Sequence, residues 1–72
     1  MNTETVREWL NRRPFESFLI SMSNGETFQV KHPENVLVLK TRLIVGYPET
    51  DSVVHVSLLH VNSIRPLETA SS

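Results

Sequence analysis

Phe18-Leu19-Ile20-Ser21-Met22-Ser23-Asn24-Gly25-Glu26-Thr27-Phe28-Gln29-Val30 is the stretch whose reading decides the fold. Phe18, Ile20 and Met22 alternate with other residues, as do Phe28 and Val30 beyond Asn24-Gly25, which is the signature of a β-hairpin. A two-residue Asn24-Gly25 loop would pair Ile20 with Gln29 and put the two apolar stripes on opposite faces. A three-residue loop, Ser23-Asn24-Gly25, pairs Met22 with Glu26, Ile20 with Phe28 and Phe18 with Val30. Both stripes then share one face. The phase therefore predicts a type I turn closed by a glycine bulge, with Gly25 at positive φ.

Upstream, residues 3–12 read as a short helix. Val6, Trp9, Leu10 and Arg13 recur at i, i+3, i+4 and i+7, giving one apolar stripe with Trp9 and Leu10 as its main anchors. Asn2, Thr3 and Thr5 are the candidate N-caps, and Thr5 and Glu8 have capping-box spacing. Glu4 suits the positive end of the helix dipole and Arg12 and Arg13 the negative end. Pro14 disfavours helical geometry at Arg13 and ends the element.

Downstream, strands are expected at residues 15–22 and 26–31. His32-Pro33-Glu34-Asn35 interrupts as a loop or single helical turn, because Pro33 has no ladder donor. Val36-Leu37-Val38-Leu39 is apolar on both faces, which predicts a central strand covered on both sides. Lys40-Thr41-Arg42 reads as a tight turn and Leu43 to Tyr47 as the next strand. Pro48 to Ser52 is a surface loop rich in turn formers. Val53 to Leu58 follows as a strand, with Val54, Val56 and Leu58 on one face and Val53, His55 and Ser57 on the other. Leu59-His60-Val61 reads as a helical turn. Ile64 to Leu67 closes as a strand placed at an edge by Pro66. Residues 68–72 read as a frayed tail.

The expectation is one α+β domain spanning residues 1–72: a short N-terminal helix on a bent antiparallel sheet, or a small partly open barrel, of about five strands in residues 15–67. A chain of 72 residues keeps much of its surface exposed, and without cysteine no disulfide reinforces it. No basic-then-apolar leader opens the chain, and no apolar run approaches the ~20 residues of a membrane helix. The expectation is a cytoplasmic protein with no membrane partner. Seven basic residues against eight acidic give a net charge of −1. That balance is not that of a domain built to hold phosphate backbones.

Two resemblances follow from these residues. Arg13-Pro14-Phe15-Glu16-Ser17-Phe18, Ser23-Asn24-Gly25-Glu26, His32-Pro33-Glu34 and Leu58-Leu59-His60-Val61-Asn62-Ser63-Ile64 resemble a family of short, uncharacterised bacterial proteins abundant in planctomycetes. That resemblance implies a bacterial, cytoplasmic origin and brings no activity with it. The order helix, bent strands, short turn and closing strand is similar to the Sm-like small barrels, which bind RNA as rings. Gln29 or Val30 stands where that family has a second glycine, and its Arg-Gly pair is missing near Val54-His55-Val56. The resemblance therefore implies a topology and not an RNA site.

Candidate chemistry is sparse. His32, His55 and His60 are the histidines a metal site would need, but His55 and His60 have opposite strand parity and His32 lies in a loop. Ser57 or Ser63 could be combined with His55 or His60 and Glu34 or Asp51, yet no nucleophile elbow, phosphate loop or spaced carboxylate motif is present. Arg12, Arg13, Lys31, Lys40 and Arg42, with Phe15 or Tyr47 for stacking, could form a basic patch, but on a chain of acidic balance they read as a solvated face. No catalytic residue, cofactor or metal is expected. The apolar surplus of Val36 to Leu39 and Leu43 to Val45 points instead to a partner protein or to a second copy, as a homodimer or a ring. Leu37, Leu39, Leu43 and Ile44 are the candidate self-association surface. The functional expectation is a non-enzymatic interaction module, with a nucleic-acid-binding Sm-like barrel as the alternative.

Overall fold

The computed structural model describes residues 1–67 of the chain. The tail expected at 68–72 lies outside them. Helix α1 (Thr3–Leu10) is followed by strands β1 (Phe18–Met22), β2 (Thr27–Val30), β3 (Val36–Val38), β4 (Arg42–Tyr47), β5 (Ser52–Ser57) and β6 (Val61–Pro66). Single 3-10 turns occupy Pro33–Asn35, Pro48–Thr50 and Leu58–His60.

The architecture is α+β, but a single sheet or barrel of about five strands is corrected to six strands in two antiparallel sheets. The first sheet has the order β2-β1-β6 and the second β3-β4-β5. No strand pairing among the described residues joins them into a closed barrel. The reason lies in the two connections that change sheet. After Val30 the chain turns through Pro33–Asn35, where proline cannot extend the ladder. After Ser57 it turns through Leu58–His60 before entering β6. Backbone hydrogen bonds hold these corners: Ser23 N–H donates to the His60 carbonyl at 2.8 Å and Leu58 N–H to the Thr41 carbonyl at 3.0 Å.

The β1–β2 hairpin follows the phase of its side chains. Phe18 pairs with Val30 and Ile20 with Phe28. Met22 N–H donates to the Glu26 carbonyl at 2.8 Å, and Gly25 N–H to the Met22 carbonyl at 3.0 Å. The loop is Ser23-Asn24-Gly25, with Gly25 at φ 93°. The Asn24 side-chain oxygen accepts from Glu26 N–H at 2.9 Å and rigidifies the turn.

The helix starts where Asn2 caps it, accepting from Thr5 N–H at 2.9 Å. It stops at Leu10, two residues short of the expected end. Asn11 leaves helical geometry, and Arg13 precedes a proline. The Arg13 guanidinium donates to the Leu10 carbonyl at 3.1 Å and so covers a helix C-terminal acceptor. Val6 and Leu10 are the buried anchors. Trp9, expected as a main anchor, is only half-buried. Its ring lies 5.4 Å from that of Phe18 and carries the Arg12 guanidinium 3.9 Å above it. Trp9 therefore seals the flank of the helix while Val6 enters the centre.

The core is a single cluster between the sheets, contributed by Phe18, Ile20 and Val30 of the first, Leu43, Val45 and Val56 of the second, and Val6, Leu10 and Leu58. The central, doubly covered strand expected at Val36 to Leu39 is corrected: β3 is an edge strand. The Leu39 to Arg42 reversal, closed by Leu39 N–H on the Arg42 carbonyl at 2.9 Å, gives β3 one neighbour, β4. The central strand is β4. Pro66 does lie on an edge strand, and that strand begins earlier than expected, at Val61.

Candidate functional site

Strand register sorts the second sheet into two faces. Val36 pairs with Val45, Leu37 with Ile44 and Val38 with Leu43. Leu43 pairs with Val56, Ile44 with His55, Val45 with Val54 and Gly46 with Val53. Because side chains alternate, Leu43, Val45 and Val56 enter the core while Leu37, Ile44 and His55 form a row on the outer face. Val53 lies beside that row. Leu37 is 56% exposed and Val53 57%.

Of the four residues expected at a self-association surface, Leu37, Leu39 and Ile44 lie outside the core cluster, Leu37 and Leu39 exposed and Ile44 half-buried. Leu43 is corrected: it is 1% exposed and belongs to the core, since it is one residue out of phase with Ile44. Val53 and Leu59 are further exposed apolar residues, outside the expected set. Alternation along Val53-Val54-His55-Val56 puts Val53 and His55 opposite Val54 and Val56, which is the signal for Val53.

The first sheet contrasts with this. Its outer face carries Thr27, Gln29, Ser21, Ser63 and Arg65, with Leu19 among them. Of the two sheets, the second carries the exposed apolar residues Leu37 and Val53, while Leu59 stands apart on the Leu58–His60 turn.

The four edge strands differ in how open they are. β2 is four residues long, and its Gln29 carbonyl accepts from the Tyr47 hydroxyl at 2.8 Å. β3 is three residues long, and Val36 N–H is already donated to the Pro33 carbonyl. β6 carries Arg65 and ends at Pro66. β5 runs six residues, Ser52-Val53-Val54-His55-Val56-Ser57, with no proline, glycine, lysine or arginine, none of the usual devices that blunt an edge.

Where the chain passes from β2 towards β3, a cleft of about 80 Å³ opens among Gln29, Lys31, His32, Asn35, Tyr47 and Glu49. Burial raises the pKa of the Tyr47 phenol above its ordinary value, and the carboxylate of Glu49 adds to the shift. The cleft is wide enough for a few waters and too small for an organic substrate. His32, His55 and His60 are all exposed, the first in the connection before Pro33, the second on β5 and the third in the Leu58–His60 turn. Among the described residues, no three His, Asp or Glu side chains gather as a metal site would require. Arg12 is held by Glu16 at 3.1 Å and by Trp9, so the helix end does not present it as a free cation. No helix of the described residues is long and apolar enough to cross a membrane.

Comparison with known protein families, with curated proteins and with solved structures finds no match to this chain.

Proposed function

We propose that this protein is a non-enzymatic interaction module whose partner is a second copy of itself. The observation that carries this reading is the asymmetry between the two sheets. One outer face is largely polar, while the other presents Leu37, Ile44 and Val53 around His55, with Leu39 at its end. A small domain gains by covering such a face, because its own core is limited by its size.

Sedimentation velocity from ~1 to ~100 µM tests the reading. A sedimentation coefficient that rises with concentration towards that of a dimer is expected, since a standard interface of ~800 Å² per partner would persist in that range. A monomer across the whole range overturns it.

A further inference from the structure

The hydrogen-bond phase of the second sheet identifies which backbone groups of β5 are free. Leu39 N–H bonds the Arg42 carbonyl, so Leu39–Arg42 is a hydrogen-bonded pair, and alternation makes Leu37–Ile44 the next. Arg42 and Ile44 therefore direct their backbone groups to β3. Leu43 and Val45 direct theirs to β5. Leu58 N–H on the Thr41 carbonyl, two residues before Leu43, independently gives the same phase. Val54 and Val56 are thus satisfied by β4, whereas Val53, His55 and Ser57 present N–H and C=O groups to an edge that no strand pairs with among the described residues.

We propose that this edge pairs antiparallel with β5 of a second copy, about a two-fold axis passing between the two His55 residues. The inference rests on the self-association reading above and takes the open edge of β5, beside the apolar face, as the contact between the copies. In this register His55 faces the partner's His55, and Val53 faces the partner's Ser57. Ser57 in turn faces the partner's Val53. Each of these pairs exchanges two hydrogen bonds. A shift of two residues would leave part of this edge unpaired, so the central register satisfies the most backbone groups. The result is one continuous sheet of six strands with β3 at both ends. The outer rows of the two copies then join, running Leu37, Ile44, His55 and on into the partner's His55, Ile44 and Leu37.

Charge permits the contact. β5 contains no Asp, Glu, Lys or Arg. The charged outer-face residue nearest in register is Arg42, which stands beside Ser57 and so in line with the partner's Val53 and Gly46, opposite no like charge. An isologous contact of this kind closes after two copies and leaves no further β5 edge exposed.

The absence of cysteine from the chain makes the test direct. In a hydrogen-bonded antiparallel pair the Cα atoms stand ~5.5 Å apart, within the range a disulfide spans. Single variants His55→Cys, Val53→Cys and Ser57→Cys are oxidised under mild conditions and resolved without reductant, with circular dichroism to show that each is folded. His55→Cys is expected to form a disulfide-linked dimer ~10-fold faster than Ser57→Cys alone, whose thiols would lie four residues out of register. Mixing Val53→Cys with Ser57→Cys is expected to give the mixed dimer, which neither variant forms with itself. A wild-type protein that stays monomeric in sedimentation overturns both this pairing and the self-association reading. A wild-type dimer in which His55→Cys links no faster than Ser57→Cys overturns the pairing alone and leaves the apolar face as the contact. Species larger than dimers, with no His55→Cys link, overturn the two-fold arrangement in favour of a head-to-tail ring.

Discussion

The Tyr47 hydroxyl donates a 2.8 Å hydrogen bond to the Gln29 carbonyl, tying the central strand of one sheet to an edge strand of the other. Tyr47 is the only tyrosine in the chain, so its ultraviolet titration reports this contact alone. Burial, reinforced by the charge of Glu49, raises its pKa. The folded state thus holds the phenolic proton more tightly than the unfolded state does. The contribution is complete below pH ~10, where an unperturbed phenol is neutral, and is lost as pH rises through the folded value. Spectrophotometric titration should place the native phenol above the denatured one. Tyr47→Phe should cost ~0.5–1 kcal/mol at neutral pH and weaken the alkaline loss of stability. A native titration at or below the denatured one would contradict the assignment.

Gly25 isolates the cost of a backbone conformation. Its φ is 93°, and a Cβ built there would meet nothing within 4 Å. Gly25→Val should therefore destabilise by ~1–2 kcal/mol through strain alone, without a steric clash. Asn in its place should cost less, because its short polar side chain tolerates this region better. Urea unfolding of the two variants measures the difference, and equal midpoints would show that the turn relaxes.

Trp9 and Phe18 touch but differ in depth. Phe18 is fully buried, while Trp9 is half-buried beneath Arg12. Phe18→Ala should cost ~3–5 kcal/mol, enough to unfold a domain of this size. Trp9→Ala should cost visibly less. Tryptophan emission should fall between that of buried and of free indole. Arg12→Ala should move it and cost ~0.5–1 kcal/mol, the value of an exposed cation–π contact. Emission unchanged in Arg12→Ala would show that the guanidinium does not rest on the ring in solution.

Leu37 and Leu43 test the two faces of one sheet. Leu43→Lys should abolish folding, because it places a charge in the core. Leu37→Lys should leave the isolated chain within ~0.5 kcal/mol of wild type. Because β3 stands at the far ends of the β5-paired sheet, Leu37→Lys should leave that dimer intact, whereas a contact made through the outer face itself should be lost and the sedimentation profile shift to monomer. Loss of folding in both variants would mean that Leu37 is needed inside the molecule rather than between molecules.

What could be read from residues alone depended on phase. The hairpin, Val54 and Val56 on one face of β5, and the turn at Pro33 followed from alternation and from proline chemistry, because each is local; the turn expected at Leu59-His60-Val61 lies one residue earlier, at Leu58–His60. Strand position was not local. Val36-Leu37-Val38-Leu39 has the composition of a covered strand, yet its place in the sheet is decided by β4 and β5, which pair later in the chain. The same run of branched residues suits a core and an exposed apolar face equally, so Leu37 and Leu43 could not be separated until the register was known. The helical stripe alone favours the larger Trp9 over Val6 as an anchor, but it is Val6 that reaches the centre, and that depth is decided by how the helix is set on the sheets.

The two sheets also differ in when they can exist. The second is a continuous meander complete once residue 57 has been synthesised. The first cannot be finished until residues 61–66 return to lie against β1 at residues 18–22, far earlier in the chain. A growing chain therefore carries a half-built sheet whose β1 edge waits for its last strand. That long-range closure is expected to set the pace of folding, because bringing distant segments together precedes the contacts that reward it. Until it occurs, the buried face of the β1–β2 hairpin, with Phe18 and Ile20 on it, is the surface most in need of protection from aggregation.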